Sequence, residues 1–77
     1  MAFLVGRVNR IGGDKELDFV RVEVFDRQDN VHVLSSYGGQ GALIMGYITA
    51  GHWYTFDYTP AELASGLLGY IERVRPA

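Results

Sequence analysis

The chain has 77 residues, no cysteine, and seven basic against nine acidic side chains, for a formal net charge of −2. That length holds one small core and no linker, so a single domain over residues 1–77 is expected. Disulfides and thiolate zinc or redox chemistry are excluded, as is duplex binding driven by a general basic excess.

The opening run Met1-Ala2-Phe3-Leu4-Val5-Gly6-Arg7 lacks the positive region and long apolar stretch of a signal peptide. The stretch Gly41 to Ile48 is far shorter than the roughly 20 apolar residues of a membrane span. A soluble, cytoplasmic protein with no membrane partner is expected.

Phe3 to Ile11 is rich in β-branched and aromatic residues and meets Gly12-Gly13-Asp14-Lys15, which has turn composition, so it is expected to be a strand. Leu17 to Asp26 alternates, with Val20, Val22 and Val24 on one face and Phe19, Arg21, Glu23 and Phe25 on the other. After the polar turn Arg27-Gln28-Asp29-Asn30, the segment Val31 to Ser35 completes a three-stranded antiparallel meander. Tyr37-Gly38-Gly39-Gln40-Gly41 breaks that pattern. In Ala42 to Ile48, residues Leu43, Ile44, Tyr47 and Ile48 share one helical face, so a short helix is expected, with a buried strand as its rival.

His52 to Tyr58 is the fourth strand by composition. Thr59-Pro60-Ala61-Glu62 matches a capping box, so a helical turn is expected to begin there. Beyond it, Leu63, Leu67, Tyr70, Ile71 and Val74 fit a helical stripe. Gly66 and Gly69 instead favour a single turn followed by a fifth strand from Leu67 to Arg75. The predicted fold is mainly β, a small five-stranded OB-like barrel with a short helix between strands 3 and 4. An α+β arrangement, an antiparallel sheet with two helices, is the alternative.

Catalytic signals are weak. His32 and His52 lie in different strands without a metal-ligand partner at helpful spacing, and Ser35, Ser36 and Ser65 lack a nucleophile-elbow context. Asp14, Glu16 and Asp18 have the pattern of a solvated hairpin flank. Gly38-Gly39-Gln40-Gly41 misses the third glycine and the lysine of phosphate-cradling loops. No enzyme, metal or cofactor is expected.

The arginine and aromatic content points to binding. Phe19, Arg21 and Phe25 share one face of strand 2, and Tyr37 and Trp53 fall near the mouth of such a barrel. These aromatics would stack bases at ~1–3 kcal/mol each, with Arg21 and Arg7 meeting phosphates, which makes single-stranded nucleic acid the first candidate ligand. From Asn30 to Phe56 there is no Asp, Glu, Lys or Arg. An uncharged exterior of that kind suits a homodimer interface or a protein partner, the second candidate function.

The C-terminal third, with Gly51-His52-Trp53-Tyr54-Thr55-Phe56, Gly66-Leu67-Leu68 and Arg73-Val74-Arg75-Pro76-Ala77, resembles the tail of the small single-stranded-DNA-binding proteins of filamentous phages. The resemblance implies a dimeric OB-fold whose sheet aromatics stack bases while Lys and Arg contact phosphates. Phe19, Arg21 and Phe25 would serve by position. Where that family is basic, this chain is acidic with a single Lys.

Overall fold

The computed structural model describes residues 2–14, 16, 18–36, 39–62 and 65–77. Its elements are β1 (Ala2–Asp14), β2 (Phe19–Phe25), β3 (Val31–Ser36), α1 (Gly41–Tyr47), β4 (Trp53–Pro60) and β5 (Gly69–Pro76). The strands close a barrel in the order β1-β2-β3-β5-β4, with β4 pairing back onto β1. Neighbours are antiparallel except β3 and β5, which run parallel where Leu34–Ser36 meets Gly69–Ile71. This is the five-stranded OB-like barrel with its helix between the third and fourth strands. Because the sheet closes on itself, the α+β alternative is not adopted.

Closure depends on β1, which pairs with β4 over Ala2–Arg7 and with β2 from Arg7 onward. At Gly6, where the strand passes from one partner to the other, a Cβ would stand 3.2 Å from Val24 and 3.3 Å from the Phe25 carbonyl. The absent side chain lets the strand coil tightly at this corner. β1 also runs through Gly12-Gly13-Asp14, where composition predicts a turn. Gly13 has φ 151° and its missing Cβ makes room for the Phe19 carbonyl, so the chain stays paired with β2 until Asp14.

The alternation of β2 sorts its side chains. Val20, Val22 and Val24 have no solvent exposure and meet Val8, Leu34, Phe56 and Ile71 in the core. Burying a side chain of this size stabilises the fold by roughly 1.5–3 kcal/mol. Ile44 and Ile48 plug one end of the barrel. Leu43 and Tyr47, predicted to share that buried stripe, are instead 76% and 50% exposed. The helix turns the stripe Gly41, Ile44, Met45 and Ile48, spaced i, i+3, i+4 and i+7, towards the barrel, which leaves Leu43 and Tyr47 outside it.

No helical turn starts at Thr59. Thr59 and Pro60 extend β4 against Tyr70 and Gly69, and Thr59 Oγ1 donates to Glu72 Oε1 at 2.9 Å instead of accepting at a helix start. Pro60 is the last residue of its strand, where a missing N–H is tolerated. A turn does follow, with Ser65 N donating to Glu62 O at 3.1 Å, while Leu63 and Ala64 lie outside the described residues.

Candidate nucleic-acid interface

Opposite the core, the outer surface of β1, β2 and β3 carries the side chains that sequence singled out. In strands, residues in register lie in rows across the sheet about 4.8 Å apart. The first row is Trp53, Arg7, Phe25 and Val31, from β4 through β1 and β2 to β3. The Arg7 guanidinium carbon sits 5.3 Å from the centroid of the Phe25 ring, a cation–π contact that fixes the arginine between two aromatic residues. Trp53 is 41% exposed, so its indole offers a face to solvent.

The next rows are Arg10, Glu23 and Val33, then Gly12, Arg21 and Ser35, then Asp14 and Phe19. Phe19 is partly exposed at the far end. The structure thus brings Arg7, Phe25 and Trp53 into one row and sets Arg21 and Phe19 further along the same face. Tyr37 lies outside the described residues.

Sequence reasoning passed over Arg10 and Glu23. Val8 pairs with Val24 and Arg10 with Glu23, so Asn9 is an extra residue, a β-bulge. The bulge turns both Asn9 and Arg10 outward over Glu23: Asn9 Nδ2 donates to Glu23 Oε1 at 2.7 Å, and Arg10 lines a groove with Glu23. That groove has a volume of about 260 Å³ and is completed by Gly12, Arg21 and Val33. The signal was a phase break: Val8 and Ile11 both turn towards the core although three positions apart, which strict alternation forbids.

The charges on the barrel are unevenly committed. On the β4–β5 side, Asp57 accepts from Arg75 Nε at 2.7 Å, from Arg75 Nη2 at 2.9 Å and from Arg73 Nε at 3.1 Å. The Arg75 hydrogen bonds above all, with help from Arg73, hold the Asp57 carboxyl at about 2, below its usual 3.8. Those two arginines are spoken for. Among the described residues Arg7, Arg10 and Arg21 have no ion pair, so the outer face of β1 and β2 is the side with cationic capacity to spare.

At the edge of this face the β2–β3 turn is pinned by Asp26. Its Oδ1 accepts from the backbone N–H groups of Gln28 at 2.8 Å and Asn30 at 3.0 Å, while His32 Nε2 donates to Oδ2 at 2.9 Å. The His32 bond is the largest influence holding the Asp26 carboxyl at about 2. Phe25 and Val31 flank this turn and take their positions from it.

Among the described residues no group of three or more His, Asp or Glu side chains is arranged to hold a metal ion, and no helix is long and apolar enough to cross a membrane. Comparison of the chain with protein-family models, with curated proteins and with solved structures finds no match.

Proposed function

We propose that this protein is a non-catalytic binding module for single-stranded nucleic acid, engaged on the outer face of β1, β2 and β3 with Trp53 at its edge. The carrying observation is the row Trp53, Arg7, Phe25, in which an arginine without an ion-pair partner lies between aromatic residues. Stacking on Trp53, Phe25 and Phe19 supplies sequence-tolerant affinity, and Arg7 and Arg21 supply phosphate contacts. A cytoplasmic site of action accompanies this reading. The test is titration with oligo-dT and oligo-rU at rising salt, following Trp53 fluorescence. Salt-sensitive quenching is expected, and no binding by folded protein at ~50 mM salt would end the proposal.

A second reading, a protein-interaction module, is favoured by one observation. Leu43 and Tyr47 project from α1 beside a groove of about 300 Å³ lined also by Gln40, Ile44, Val74 and, as its one charged residue, Arg73. A homodimer through this region predicts that Leu43→Glu converts a sedimenting dimer to a monomer. Wild-type protein that sediments as a monomer and captures no partner counts against it.

A further inference from the structure

The groove between the Arg7 row and the Arg21 row contains a feature that phosphate binding alone does not explain. Its central acid, Glu23, lies directly across the ladder from Arg10, and Arg21 is two residues away on the same side of β2. A carboxylate here repels a polyanion, and among the described residues it is not neutralised by either arginine. Its hydrogen bond from Asn9 occupies one lone pair of Oε1 and orients the group. A carboxylate has about four acceptor positions, so capacity remains for a ligand that brings donors.

The edges of the bases differ in what they bring. Thymine and uracil place their single N3–H between carbonyl oxygens, which the carboxylate would repel. Cytosine and adenine set an amino group beside a ring-nitrogen acceptor, so one carboxylate oxygen is matched and the other opposed. Guanine alone offers adjacent N1–H and N2–H donors, with O6 beside them as an acceptor for a guanidinium. The groove supplies that complement: carboxylate acceptors at Glu23, guanidinium donors at Arg10 directly across from it, and an apolar shelf at Val33, with no side chain at Gly12 to obstruct the base and Arg21 left to meet phosphate.

We propose that Glu23, flanked by Arg10 and Arg21, reads guanine in a single strand laid across this face; this rests on the single-strand reading above. The rest of the face stacks bases without regard to identity. Glu23 therefore sets a preference at one nucleotide rather than along a motif.

The test uses the full chain and a short oligo-dT, roughly 9 nucleotides, whose central residue is dT, dC, dA, dG or deoxyinosine. A central dG should bind about tenfold more tightly than dT, the scale of one good bidentate base contact. Deoxyinosine lacks the N2 amino group and should lose most of that gain. In Glu23→Gln the difference between dG and dT should fall to within about twofold. The base series on wild-type protein needs no variant, so the outcome does not depend on the variant folding. If wild-type protein binds every oligonucleotide within about twofold, the guanine assignment is wrong while the single-strand function stands. If Glu23→Gln strengthens binding to all of them by one common factor, Glu23 is a repulsive charge and not a reader, which also overturns it. Binding to none overturns both readings.

Discussion

Arg75 grips Asp57 at both carboxylate oxygens, Nε to Oδ2 at 2.7 Å and Nη2 to Oδ1 at 2.9 Å, across the β4–β5 ladder. Because the folded-state pKa of Asp57 is depressed to about 2 from 3.8, the ionised carboxylate is favoured by folding. Its stabilisation is therefore fully present above the unfolded pKa and lost as pH falls from about 4 to about 2. Asp26, also at about 2, acts in the same window through its His32 bond. Thermal melts between pH 7 and pH 2 should show Asp57→Asn less stable than wild type at neutral pH and the gap closing at the acid end. A gap that is independent of pH would refute the assignment.

Neighbouring residues on β2 should separate stability from binding. Val22 has no exposure and packs in the core, whereas Arg21 is exposed on the outer face. Val22→Ala should cost roughly 2 kcal/mol or more in urea unfolding, because a buried cavity is left. Arg21→Ala should change stability by less than about 0.5 kcal/mol, yet weaken oligonucleotide binding and reduce the salt slope by about 0.7. The converse pattern would mean that the two faces of β2 are assigned the wrong way round.

The helix is attached to the barrel through Asp18. Ala42 N donates to Asp18 Oδ1 at 2.8 Å, so a residue from the β1–β2 connection caps a helix whose own Gln40 makes no side-chain cap. Gly41 packs so closely that a Cβ would lie 2.5 Å from the Asp18 carbonyl carbon and oxygen. Asp18→Ala should cost about 1 kcal/mol, the usual loss for a helix cap. Gly41→Ala should cost more, since the helix must lift and uncover Ile44 and Ile48. Denaturant unfolding of the two variants measures the order, and equal or reversed losses would contradict this account of how α1 docks.

The strands were legible wherever side-chain period and burial agree. The valines of β2 announce both the strand and its inward face, and the turn at Asp26 to Asn30 separates two alternating runs. What stayed hidden was set by tertiary pairing. Thr59-Pro60-Ala61-Glu62 carries the local chemistry of a helix start, but the pairing of Thr59 and Pro60 with β5 overrides it. Leu43 and Tyr47 neighbour Ile44 and Ile48 around the helix, and only the close approach of Gly41 to the Asp18–Phe19 backbone shows which way the helix turns, with Met45 inward and Leu43 and Tyr47 outward. The bulge at Asn9 leaves a trace in sequence, the broken phase between Val8 and Ile11. Without the partner strand, however, nothing shows that the resulting outward pair, Asn9 and Arg10, lands on Glu23.

Arg7 offers the sharpest distinction between charge and shape. It is paired in register with both Phe25 and Trp53, and its planar guanidinium lies over the Phe25 ring. Arg7→Gln removes the charge, so both affinity and the salt slope should fall, the slope by about 0.7 for one lost phosphate contact on a single strand. Arg7→Lys keeps the charge but loses the planar stacking surface, so affinity should fall while the slope is retained. Stability should drop by about 0.5–1 kcal/mol in Arg7→Gln, the usual worth of an exposed cation–π contact. Titrations of the three proteins with oligo-dT at several salt concentrations decide the matter. If both variants weaken binding and neither Arg7→Lys nor Arg7→Gln lowers the slope, the residue acts by shape alone and not by meeting phosphate.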